Sequence, residues 1–197
     1  MYNKNRQVGL QEKRLEPFSV VVAEPGAEFN IKNGEYPRMI CYYDKPDTCS
    51  FLDYGIRNDT LFVFASKEKK KPNKWHDIYG RNIKSIVAKV NSTVRLQQFI
   101  ADTLNVKLNY AVFNANFDII KNQTSQLSLI AANSKITINN AKIDYLSVQL
   151  NKTILNSWNN SIVHLSGSIS NQSRLFIGAI QKISIDVDST SAYQLQK

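Results

Sequence analysis

From residue 85 onward the chain has no glutamate, and its carboxylates there are Asp102, Asp118, Asp144, Asp186 and Asp188. Glycoside cleavage uses two carboxyl groups held roughly 5–9.5 Å apart. Asp102 and Asp144 each stand two residues before a strand start identified below, and so share one edge only distantly. Asp186 and Asp188 belong to a charged last unit. No spacing among the five marks an acid–base pair, and no catalytic residue is assigned. His76 follows Trp75 in a basic loop, and His164 precedes a strand start. Neither has a cysteine near it in sequence and no Gly-x-Ser-x-Gly elbow exists, so both are expected at the surface or at corners.

Metal ligation would want clustered His, Cys or carboxylates, and these are missing from the sequence pattern. With seven glycines in total, no phosphate-cradling loop is present either. The expectation is therefore no metal and no cofactor.

Two chemistries survive. Cys41 and Cys49 flank the turn signal "DKPD", and a hairpin folded about it places them nearly opposite each other. They form a disulfide if the chain is exported, or a pair of half-buried thiols if it is not. The second is stacking on sugar rings by outward aromatics, for which Trp158 in "NSWNN" and Tyr145 are the candidates, with Tyr110 and Tyr193 as further aromatics. For Trp158 the alternative is packing at the edge of the core.

The elements that must position these residues repeat. "IVAKVN" begins at 86, "LNVKLN" at 104, "LSLIAAN" at 127, "LSVQLN" at 146, "LSGSIS" at 165 and "ISIDVD" at 183, successive steps of 18, 23, 19, 19 and 18 residues. Most units alternate apolar and polar positions, as a half-buried strand does. Each then reaches a polar residue (Asn91, Asn109, Asn133, Asn151, Ser170 or Asp188) and starts a second short strand. A constant internal layout at a constant period is the mark of a solenoid. The chain is therefore expected to be all-β: a parallel β-helix of about 19 residues per coil over 85–197, with asparagines forming ladders at its corners. Residues 15–84 read as a β-rich capping region of the same domain, and residues 1–14 as a polar tail or linker.

Hydrophobic residues at 43% and charged residues at 21% fit a folded chain. No apolar run approaches the ~20 residues of a membrane span. The net charge is +9, and its densest basic run is "KEKKKPNKWH", a loop pattern without any nucleic-acid-binding motif. No nucleic-acid partner is expected. The opening "MYNKNRQVGLQEKR" lacks the apolar core of a signal peptide, so export would rest on a leader or membrane anchor outside these residues.

The segment "RLEPFSVVVAEPGAEFNI", the strand "NDTLFVF", the lysine-rich loop and the coil opening "ADTLNVKL" together resemble the putative auto-transporter adhesin head domain of GIN type, across residues 15–197. The resemblance implies a right-handed coil, export to the periplasm or surface of a bacterium, and an adhesive or scaffolding role, with no site residues attached to it. The expected function is a non-enzymatic binding module for a surface glycan or an envelope protein. The rivals are a polysaccharide-acting β-helix enzyme and the ectodomain of a membrane-anchored envelope sensor.

Overall fold

The computed structural model describes residues 9–43, 50–65, 76–97, 99–117 and 123–195. Among the described residues every regular element is a strand, and all of them join one sheet that winds into a β-solenoid. Each coil places one strand on a first face, turns a tight corner, and places the next strand on a second face. Side chains that alternate inward line the axis, because successive residues of a strand point to opposite sides.

The first face stacks β6 (Thr60–Val63), β2 (Val20–Ala23), β8 (Ser85–Ala88), β10 (Thr103–Asn109), β12 (Gln123–Ala132) and β14 (Lys142–Asn151) in parallel. It continues through the second halves of β15 (Ile154–Ser170) and β16 (Arg174–Val187). The second face stacks β7 (His76–Gly80), β3 (Glu28–Asn33), β9 (Thr93–Gln97), β11 (Val112–Asn116) and β13 (Lys135–Asn139). The first parts of β15 and β16 and finally β17 (Ala192–Leu195) complete it.

The register gives the apolar column the repeat called for: Leu104 pairs with Leu127, Leu127 with Leu146, Leu146 with Leu165, and Leu165 with Ile183. Ile86 departs from the expected alignment and pairs with Val106, not Leu104. The cause is the corner. Three residues, Lys89 to Asn91, separate Ala88 from Ser92, whereas only Asn109 and Tyr110 separate Leu108 from Ala111. Matching asparagines across the two units therefore misplaces the strand by two positions.

The amino-terminal region is built into the solenoid instead of merely covering it. The coil β2–β3 lies between β6–β7 on one side and β8–β9 on the other, so a later segment of chain is stacked outside an earlier one. Antiparallel strands then finish that end. β5 (Tyr54–Arg57) pairs with β6 through a turn whose central residues, Asn58 and Asp59, both have positive φ, as tight hairpins prefer. β4 (Arg38–Tyr43) pairs with β7, and β1 (Gly9–Arg14), formed by the end of the polar opening stretch, pairs with β4.

Candidate functional site

The corners from the first face to the second that follow β8, β10, β12, β14 and β15 each contain a left-handed residue, and the last of these has two, Gln172 (φ 63°) following Asn171. Asn91, Tyr110, Asn133, Lys152 and Asn171 have φ of 58°, 51°, 50°, 48° and 54°. Asparagine enters this region readily, but tyrosine and lysine do so only at a cost of about 1–2 kcal/mol. Backbone bonds between coils hold them there: Asn91 N–H donates to the Tyr110 carbonyl at 2.8 Å, and Tyr110 N–H donates to the Ala132 carbonyl at 3.0 Å. The expected asparagine ladder is thus only partly realised. Asn109 and Asn151 stand one residue before the left-handed position, which Tyr110 and Lys152 occupy instead.

The ladder inside the corner is built from hydroxyls. The N–H of Ala111 donates to Ser134 Oγ, that of Ser134 to Thr153 Oγ1, that of Thr153 to Ser173 Oγ, and that of Ser173 to Ser191 Oγ, at 3.1–3.3 Å. Except for Ser173, whose N–H also reaches the Ser170 carbonyl at 3.3 Å, these donors have the hydroxyl as their acceptor, and leaving them buried without it is costly. The signal was present in the sequence as a Ser or Thr just past every such corner but one from β8 onward, at Ser92, Ser134, Thr153, Ser173 and Ser191.

One coil breaks both ladders at once. Tyr110 and Ala111 stand where neighbouring coils carry Asn or Lys followed by Ser or Thr, so the corner loses a hydroxyl and gains a ring that is 55% exposed. A groove of ≈ 660 Å³ lies there, spanning four coils. Tyr110, Val112 and Ile154 supply apolar surface, Asn91 and Asn133 supply polar corner positions, and Lys135 and Lys152 supply positive charge. None of the residues lining it is a carboxylate, histidine or cysteine. An aromatic face beside amides and ammonium groups suits a polar ring compound, and an acidic one best.

Elsewhere among the described residues several charged side chains are paired within the protein. Buried Asp77 accepts from Asn30 Nδ2 at 2.7 Å and pairs with Lys32 Nζ at 2.6 Å. Arg38 lies over the rings of Tyr79 and Tyr36, at 4.2 and 4.7 Å, with Glu12 3.6 Å from its Nε. Burial, followed by hydrogen bonding with Tyr79 and the Asp77 charge, pushes the nearby Tyr42 hydroxyl above its ordinary range.

The residues singled out from sequence fall in different places. Tyr145 is exposed on the first face and stacks on His164 of the next coil, with ring centroids 4.9 Å apart and planes inclined by 12°. Trp158 is 41% exposed at the far end of the second face, in register with Asn139. Neither lines the Tyr110 groove.

His76, expected at the surface, is buried on β7 with its Nε2 2.9 Å from the Ser50 carbonyl, because the outermost coil turns it inward beside Cys41. Cys41 is buried and disulfide-bonded, while Cys49 lies outside the described residues, as do Trp75, Asp118 and the lysine run Lys69–Lys71. Asp102 lines a second groove, of ≈ 550 Å³, together with Asn33, Arg81 and Lys84, but Asp144 does not. Asp188 caps the last corner, accepting from Asn171 N–H at 2.7 Å. Among the described residues no three His, Cys, Asp or Glu side chains are grouped to hold a metal ion.

No protein-family model and no curated protein matches the sequence. Solved structures do match its fold. A putative adhesin from Bacteroides fragilis NCTC 9343 superposes with a TM-score of 0.70 at 12% identity, covering 98% of both chains. A putative adhesin from Parabacteroides merdae ATCC 43184 gives 0.60 at 12% identity over 98% of both. A putative lipid binding protein from Parabacteroides distasonis ATCC 8503 gives 0.50 at 10% identity, over 99% of this chain and 98% of that one. At such identities the likeness establishes a shared architecture from end to end.

Proposed function

We propose that this chain is a non-enzymatic, adhesin-like binding module of the bacterial envelope, exported to the periplasm or cell surface, and that its corner groove takes an acidic surface glycan. The observation that carries the reading is the replacement, in one coil only, of the structural corner pair by Tyr110 and Ala111. It costs conformational energy at a left-handed position and removes a corner hydroxyl, and the exposed ring walls a groove flanked by Lys135 and Lys152. Strain of this kind collects at functional positions. The groove lacks the carboxylate pair that glycoside cleavage uses, which favours binding over hydrolysis. The architecture shared with proteins called adhesins supports the same reading, as does the resemblance to the GIN-type head domain.

The test is calorimetric titration of the full chain with uronic-acid oligosaccharides and their neutral counterparts. Tyr110→Asn is the informative variant, since asparagine suits the left-handed corner and should leave the fold intact. Binding of the acidic series should weaken at least tenfold in Tyr110→Asn, and Trp158→Ala should leave it unchanged. No heat of binding from any acidic or neutral oligosaccharide, with a folded protein, would sink the proposal.

A further inference from the structure

The two ends of the solenoid are finished differently. At the amino-terminal end Leu61 and Val63 of the outermost first-face strand are fully buried, and β5 covers their edge. At the other end Ile183, Ile185 and Val187 extend the inward columns of Leu165, Gly167 and Ile169. Among the described residues no strand lies over them. Leu165 and Ile169 are each 1% exposed, whereas Ile183 and Ile185 are only half-buried and Val187 is 39% exposed.

The backbone of this edge is oriented outward as well. Asp188 N–H donates to the Ile169 carbonyl, toward β15. In a parallel ladder alternate residues direct both N–H and C=O to the same neighbour. Ser184, Asp186 and Asp188 therefore face β15, and Ile183, Ile185 and Val187 present their hydrogen-bonding groups to the open side.

We infer that this edge is an interface for a second copy of the chain, paired antiparallel about a two-fold axis at Ile185. In that register Ile185 exchanges backbone bonds with its own mate and Ile183 does so with the partner's Val187. The inward side chains of both copies then meet on one side, because directly opposed residues of antiparallel strands share a face. On the outer side Lys182 faces the partner's Asp188, and Ser184 faces the partner's Asp186. The sequence "KISIDVD" is thus complementary to itself when reversed, with a cation at one end and an anion at the other. A register centred on Ser184 sets Val187 opposite the partner's Gln181 and loses an apolar pair. Isologous contacts of this kind close on themselves and do not propagate into fibres.

Light scattering coupled to size exclusion tests this on the full chain. The wild type should show twice the 22.4 kDa chain mass and dissociate on dilution. Ile185→Pro should be monomeric with an unchanged β-sheet circular dichroism spectrum, because proline removes an N–H aimed at the edge and none from the coil's own ladder. Cysteine pairing keeps the test open even if that variant misfolds. A mixture of the Ser184→Cys and Asp186→Cys proteins should oxidise to a linked dimer, while neither does so alone. A wild type that stays monomeric up to about 1 mM, a dimer that survives in folded Ile185→Pro, or linking by Ser184→Cys alone would each overturn the inference.

Discussion

The backbone N–H of Ser134 donates to Thr153 Oγ1 in the next coil, 3.3 Å away, and that hydroxyl itself donates to the Asn151 carbonyl at 2.9 Å. One buried side chain thus closes a corner in its own coil and satisfies a donor in its neighbour. Thr153→Val keeps the shape and removes the hydroxyl, leaving the Ser134 N–H buried and unpaired. Such a loss costs about 1–3 kcal/mol. In urea denaturation the midpoint should fall by that free energy divided by the slope, with the slope itself unchanged. An unchanged midpoint would show that the corner does not depend on the hydroxyl ladder.

Leu146 sits between Leu127 and Leu165 in the axial column, and Ser147, the next residue, faces solvent. Leu146→Ala removes a fully enclosed side chain and should destabilise by ~2–5 kcal/mol. Ser147→Ala should stay within about 0.5 kcal/mol of the wild type. Because a one-residue slip would exchange the two outcomes, the pair of midpoints measured by thermal or urea unfolding reports the register itself.

How far the sequence carried the architecture follows from this column. Leu104, Leu127, Leu146 and Leu165 could be aligned because each opens an apolar alternation followed by a corner of nearly constant length. Ile86 could not, since the extra residue in its corner shifts its strand without altering the apolar alternation. The placement of β6–β7 outside β2–β3 left no periodic trace, because it is fixed by pairings between segments of different layout. The hydroxyl ladder was written in the sequence but hidden behind the more conspicuous asparagines. The candidate groove was the least legible feature. Tyr110 was visible as an aromatic, but its meaning comes from sitting at a left-handed corner beside the missing hydroxyl of Ala111, and both facts require the backbone.

Cys41 is disulfide-bonded on β4, and the chain holds one other cysteine, Cys49. We expect these two to be joined in protein produced in an oxidising compartment. Intact mass spectrometry should find no alkylation by iodoacetamide until a reductant is added, and two alkyl groups afterwards. A Cys41→Ser, Cys49→Ser double variant should lose about 2–4 kcal/mol, the usual worth of a native crosslink. Ready alkylation of the unreduced, folded protein would argue instead for free thiols and against passage through an exporting pathway.

Asp188 gives the last corner a pH dependence of known sign. The N–H of Asn171 is the main cause, with the Ser191 hydroxyl next and Thr190 after it, of a carboxyl pKa lowered to about 2 from an ordinary 3.8. A group whose pKa is depressed in the folded state contributes stability that is fully present above its unfolded value and is lost as the pH falls through its folded value. The contribution of Asp188 should therefore hold at neutral pH, decline from about pH 4 and be gone below about pH 2. Carbon-13 NMR titration of the Asp188 carboxyl should place its midpoint near the lower end of that window. Asp188→Asn removes the titrating group, so the difference in stability between wild type and variant should shrink steadily between those limits. A difference that stays constant with pH, or a midpoint near 3.8, would mean that the carboxylate is not held by the Asn171 amide and that the corner closes without it.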